Sequence, residues 1–224
     1  DNRYTDALLT EYDAIIGTGS REDLMDFAEE AEEVNLDGAV LMPGFIDPHS
    51  HYSQVASGLL QVSLDGASSF EEMKKRINTF TEEKSGCGKV QEKSGWIRAK
   101  DYDHNLLPGG KHLSAEQINA LSPDHPLIIQ HKSGHMGLLN AAAMDQLGIN
   151  DGTPSPEGGN IGHENGHLNG YIEENAYFTY AKKVPMPAMS ELEDAYIRAQ
   201  DIYASYGITT MQEGMLVSQM LPLY

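Results

Sequence analysis

From Pro43 the chain reads Pro43-Gly-Phe-Ile-Asp-Pro-His-Ser-His51, and this stretch constrains the fold more than any other. Ala39–Met42 runs through Pro43-Gly44 into Phe45-Ile46-Asp47, a nearly all-apolar strand of the kind buried on both faces. Such strands belong to parallel sheets or barrels, which present their functional groups at the carboxyl ends of the strands. His49 and His51 stand at that end. On extended chain the i, i+2 spacing turns both imidazoles to one face, and neutral imidazole is a favoured zinc ligand. Taken alone, the spacing fits a pair of solvated loop histidines equally well.

Elsewhere strands and helices alternate. Tyr12–Ile16 reads as a strand and Gly17-Thr-Gly-Ser20 as a turn. A dinucleotide fingerprint fails there because Glu22 holds the place of its third glycine. Ser20 with Asp23 caps a helix whose apolar face is Leu24, Phe27, Ala28 and Ala31. Val34–Leu36 and Ala39–Met42 flank Asp37-Gly38 as a two-strand turn. Ser69 opens a helix carrying Phe70, Met73, Ile77 and Phe80, and Lys84–Lys93 is a polar loop. Trp96–Ala99 is a short strand, Ser114 with Gln117 starts a helix, and Pro126–Gln130 is a buried strand ending at His131. Leu138–Leu147 is a helix stopped by Gly148. Asp151–Gly170 is loop or hairpin, Ser190–Tyr206 a long helix, and Ile208–Gln212 a strand. This alternation predicts an α/β fold with βα units and a parallel sheet.

Charge and apolar run length exclude several functions. A formal net charge of −19 over 224 residues argues against nucleic acid, whose phosphates require clustered Lys and Arg, and disfavours anionic membranes. The longest apolar runs fall far short of the ~20 residues that cross a bilayer. No charged-then-apolar leader opens the chain. The expectation is a soluble, cytoplasmic protein. The lone cysteine, Cys87, forbids an internal disulfide and reads as an ordinary loop residue.

The nonapeptide ending at His51 resembles the first-strand signature of the amidohydrolase superfamily. Gly95-Trp-Ile-Arg-Ala99 with Tyr102-Asp-His104, Ser122-Pro-Asp-His-Pro126, Ser133-Gly-His135 with Asn140, and Gly207-Ile-Thr-Thr210 are similar to amidohydrolase family 3. That group includes the enzymes similar to N-substituted formamide deformylase. The resemblance runs from about Asp13 onward.

It implies a distorted (β/α)8 barrel flanked by a small β-sandwich. Residues 1–42 would belong to the sandwich and 43–224 to the N-terminal portion of the barrel, with an inserted segment at about 85–170. One or two divalent ions, usually zinc, would activate a water against a carbon–nitrogen bond other than a peptide bond in a small amide-type substrate. His49 and His51 carry over as ligands of the more buried ion. The remaining ligands and the catalytic acid are expected from later strands, beyond Tyr224. This marks an N-terminal fragment, inactive by itself. Trp96, Asp103, His135 and Glu213 fall where the substrate pocket is expected. Core packing competes for Trp96, and structural roles compete for His135 and Glu213. Deamination on the same scaffold and a non-catalytic metal-binding or assembly role remain the alternatives, and a homo-oligomer is compatible with all three.

His163-Glu-Asn-Gly-His167 matches the zinc-protease pattern H-E-x-x-H, which functions only on a helix. Asn165-Gly166 is a hairpin turn pair crowded by glycines, so a β-hairpin is predicted there. His131 reads as a pocket or structural histidine. Glu173-Glu174 cannot form a carboxylate dyad, because adjacent residues point to different sides of an element.

Overall fold

The computed structural model describes residues 4–28, 30–86, 95–216 and 218–223; Cys87 and most of the expected Lys84–Lys93 loop lie outside them. The chain divides into two compact units, Asp1–Pro43 and Gly44–Tyr224.

In the first unit, β1 (Ala7–Glu11) and β2 (Ala14–Gly19) form an antiparallel hairpin. Gly17-Thr-Gly19 lies inside β2, not in the expected turn; the turn comes earlier, with Tyr12 at φ 55°. Ser20 caps α1 (Arg21–Met25) as its sequence predicts, its side chain accepting the Asp23 N–H at 3.1 Å. The expected Asp37-Gly38 turn forms, with φ of 49° and 84° and Ala39 N–H donating to the Leu36 carbonyl. The strands expected on either side of it do not form, and Val34, Val40, Leu41 and Met42 are exposed. An isolated two-stranded ribbon without a buried face is marginal, and the described residues flanking this turn bury no apolar face.

The second unit is a mixed α/β body. β3 (Phe45–Ser50) pairs in parallel with β10 (Ile208–Glu213) as a two-stranded sheet. α2 (Tyr52–Gly58) and α7 (Met189–Ser205) join to it through a cluster of Tyr52, Ala56, Tyr196, Ala199 and Tyr203. The Tyr52 hydroxyl donates to the Tyr196 carbonyl, and the hydroxyls of Ser50 and Tyr203 pair. The expectation that β3 is buried on both faces fails: Phe45 is 54% and Ile46 71% exposed. One neighbouring strand and two helices cover only part of its surface.

The larger sheet has six strands in the order β4-β5-β6-β7-β9-β8. β4 (Val62–Ser63), β5 (Ile97–Tyr102) and β6 (Leu127–His131) are parallel. β7 (Met136–Leu139), β9 (His167–Glu174) and β8 (Gly159–Glu164) continue it antiparallel. The expected all-parallel sheet is therefore half right. Only Lys132–His135 joins β6 to β7, too few residues for a crossover, so the chain must fold back on itself.

α3 (Phe70–Gly86) and α4 (Ala115–Leu121) cover one face, where Met73, Ile77, Ile118 and Leu121 meet Leu127, Ile129 and Tyr102. α5 (Ala141–Leu147) and α6 (Asn175–Ala181) cover the other, around Trp96, Ile128, Leu139 and Ile172. The Ser114–Gln117 capping box and the left-handed Gly148 stop form as expected. Among the described residues, no helix is long and apolar enough to cross a membrane.

Candidate metal centre

Strand geometry explains how the histidine pair comes together. His49 lies within β3 and His51 directly follows it, and their ring centroids are 5.4 Å apart, edge to face. The His49 N–H donates to Asp47 Oδ1 at 3.1 Å. Glu213 reaches the pair from the end of β10, its side chain only 7% exposed. Its Oε2 accepts the Ser53 N–H at 2.7 Å, in the first turn of α2, and its Oε1 accepts the Met215 N–H at 2.8 Å. The same Oε1 stands 3.6 Å from His51 Nδ1. Backbone closeness completes the arrangement: Gly214 N–H donates to the Ser50 carbonyl at 2.7 Å, and a Cβ on Gly214 would meet His51 Cε1 at 3.0 Å. A glycine is what lets the β10 end approach the imidazole.

The other residues singled out in the sequence lie elsewhere. Trp96 is a core residue, 3% exposed, with its indole N–H donating to Gln146 Oε1 at 2.8 Å. His135 sits on the surface, its Nδ1 3.2 Å from Glu174 Oε2. The glutamates at 173 and 174 serve different partners, Glu173 accepting from the Tyr171 hydroxyl. Across the β8–β9 hairpin His163 lies opposite Leu168 and His167 opposite Glu164, with Asn165 at φ 52° and Gly166 at φ 86°. That turn removes the helix an H-E-x-x-H site requires.

Asp103 belongs to a second cluster. β5 and β6 pair so that Tyr102 is opposite His131, which brings Asp103, His104 and His131 together with ligand atoms within 4.8 Å of one another. His104 Nδ1 is 3.1 Å from His131 Nε2, and Asp103 Oδ1 is 4.0 Å from that same nitrogen. Asn105 holds the Asp103 carboxyl below its ordinary pKa by donating both its backbone N–H and its side-chain amide. His112 stacks on His104 at 4.0 Å; burial, reinforced by the neighbouring His104 and His131, pushes it down to about 4. Burial likewise lowers His131, with His104 adding to the effect and Asp103 opposing it. Tyr102, fully buried, is pushed up to about 12 by burial. Sequence reading gave His104 no role. Its signal was a histidine two residues past a buried strand next to another that ends in histidine, which becomes informative only when the two strands are known to be neighbours.

Residues 32–220 match the model described as the amidohydrolase family. The chain belongs to the amidohydrolase family.

The chain is 30% identical over 198 residues to YtcJ of Bacillus subtilis (strain 168), which carries an amidohydrolase name, covering 87% of the chain and 36% of that protein. It is 27% identical over 150 residues to an N-substituted formamide deformylase of Arthrobacter pascens, covering 66% of the chain and 26% of the deformylase. Its fold is similar to the crystal structure of an uncharacterized metal-dependent hydrolase from Pyrococcus horikoshii OT3, with a TM-score of 0.68, 25% identity, and coverage of 96% of this chain and 40% of that one. The chain thus spans between about a quarter and two fifths of the length of these relatives.

The amidohydrolase histidines fit a metal ion on two observations. His51 Nδ1 is buried and has no hydrogen-bond partner, a costly state for a polar atom, and a cation is one partner that satisfies it. Imidazole nitrogens bind zinc at ~2.0–2.1 Å. The two ring centres stand 5.4 Å apart, close enough for one ion to take a nitrogen from each.

Proposed function

We propose that this amidohydrolase is a metal-dependent hydrolase of carbon–nitrogen bonds other than peptide bonds, acting on small amide-type molecules. The same proposal includes zinc as the metal, His49 and His51 as two of its ligands, and a (β/α)8 barrel to which β3 and β10 contribute, with residues 1–42 in a flanking β-sandwich. The observation that carries it is the buried, unpartnered His51 Nδ1 beside His49 at the carboxyl end of β3. When bound, a divalent ion supplies Lewis acidity at the scissile carbonyl and a lowered pKa for water.

The chain's own residues define the rest of the reading. His49 and His51 hold the ion from one face of one strand. Glu213, fixed by two backbone N–H donors, keeps a carboxylate 3.6 Å from His51 Nδ1, and its negative charge favours a cation beside that nitrogen. Gly214 keeps the backbone out of the space that the imidazole occupies. The remaining ligands and the group that moves the proton are assigned to parts of the barrel other than these residues.

The test uses the full-length protein with a panel of formamides and N-acyl compounds. Turnover should disappear and bound zinc should fall below the wild-type content in the His49→Ala, His51→Ala double variant. Wild-type metal content in that variant, by elemental analysis, refutes the ligand assignment. Release of ammonia from ring amines without amide cleavage would replace the hydrolase reading with deamination.

A further inference from the structure

We propose that Asp103, His104 and His131 form a second divalent-cation site, a two-histidine, one-carboxylate set at the carboxyl ends of β5 and β6 that shares no residue with the His49–His51 pair. The three come from two adjacent parallel strands and the turn after β5, so the sheet register itself assembles them. Two imidazoles and a carboxylate are the donors that zinc and similar first-row cations take. Three protein ligands leave one coordination position for water or a ligand oxygen.

The distances support this set. With bonds of ~2.05 Å, the 3.1 Å between His104 Nδ1 and His131 Nε2 corresponds to an angle of about 98° at the ion. That lies between octahedral and tetrahedral geometry. The 4.0 Å from Asp103 Oδ1 to His131 Nε2 must close by about 0.6 Å to reach a tetrahedral separation, a movement within the reach of one side-chain torsion.

The supporting contacts are also in place. Asn105 anchors the Asp103 carboxylate through two donors. Ser133 Oγ lies 2.9 Å from His131 Nδ1, so it can accept that proton when Nε2 turns its lone pair to a cation. In the alternative tautomer His131 Nδ1 accepts the Ser133 N–H at 3.0 Å, and Nε2–H donates to His104. The site therefore has one proton arrangement for a hydrogen bond between the histidines and another for a metal. His112, stacked on His104, braces the ring without being counted as a ligand.

Co²⁺ is the probe, because its visible absorption reports nitrogen and oxygen coordination directly. The whole protein carrying His49→Ala and His51→Ala should still bind one Co²⁺ with a d–d band. Adding His104→Ala or Asp103→Asn to that background should weaken binding by about a hundredfold or more. Histidine ¹⁵N shifts provide a second readout on the double variant, independent of whether the triple variants fold: Zn²⁺ should move His104 Nδ1 and His131 Nε2 and leave His163 and His167 unchanged. Failure of the double variant to take up Co²⁺, or uptake that leaves those two nitrogens unmoved, overturns the proposal. The hydrolase reading is tested by the turnover and metal that the double variant loses, and the second site by the metal that it keeps, so either can fail without the other.

Discussion

Replacing Asn140 with alanine should be among the most destabilising single changes in the protein. Its side chain is 2% exposed and makes four hydrogen bonds. Oδ1 accepts the N–H groups of Leu127 and Ala143, both at 2.9 Å, while Nδ2 donates to the carbonyls of Ser122 at 2.7 Å and His125 at 2.8 Å. One amide thus caps α5, starts β6 and closes the loop before it. Four bonds at about 1 kcal/mol net each give ~4 kcal/mol. An invading water can restore some of them, which sets a floor of about 2 kcal/mol. Urea unfolding followed by circular dichroism should show a lower midpoint with an unchanged slope. Asn140→Asp adds a check of sign: it keeps both acceptor bonds but sets a carboxylate oxygen against two carbonyls. Burial and the two carbonyls facing its second oxygen favour the protonated acid, which can donate to one of them, and outweigh the two N–H donors, raising the folded pKa above the unfolded ~3.9. The unfolded state then sheds its proton first, and the variant should lose stability as pH rises through and above ~4. A loss below about 1 kcal/mol for Asn140→Ala, or an Asn140→Asp variant that grows more stable as pH rises from 4 to 7, would refute the reasoning.

Gly214→Ala should lower metal retention without unfolding the protein, because the new Cβ meets His51 Cε1 at 3.0 Å and the Ser50 carbonyl at 3.1 Å; bound zinc against far-UV circular dichroism separates the two effects. Trp96→Phe should cost about 1 kcal/mol through the lost bond to Gln146 and leave KM unchanged, whereas a raised KM would return Trp96 to the substrate pocket. Gly166→Ala should cost about 1–2 kcal/mol at φ 86° with no change in bound metal, and metal loss there would reopen a role for His163 and His167.

Local chemistry was legible in the sequence wherever a few neighbouring residues decide the structure. Ser20, Ser114 and Gly148 act at helix ends as their types require, and Asn165-Gly166 makes the turn that its glycine permits. Short helices were harder. α2 and α6, seven residues each, take their helicity from tertiary packing and show little periodicity of their own. Tyr12 turned the first hairpin although nothing in its side chain favours a positive φ. The histidine pair was visible because both members belong to one strand. The Asp103 cluster was not, since it depends on which strand lies beside which, and strand order is not written in any local stretch.

The pairing of β3 with β10 joins segments far apart in sequence: the bond from Ser53 to Glu213 spans 160 positions, whereas β8 and β9 meet across a two-residue turn. Closing a loop of 160 residues rather than the 11 between paired Ile161 and Ile172 costs about 2.4 kcal/mol more in chain entropy, and contacts of long separation form late. β3, which holds His49 and is followed directly by His51, should therefore join the native structure after the β8–β9 hairpin is in place, so a metal ion at the proposed site would meet its two imidazoles on a scaffold already built. In pulse-labelling hydrogen exchange, amides of Ile161 and Ile172 gain protection ahead of those in β3, and added zinc changes the stability of the final state while leaving the early steps of folding untouched.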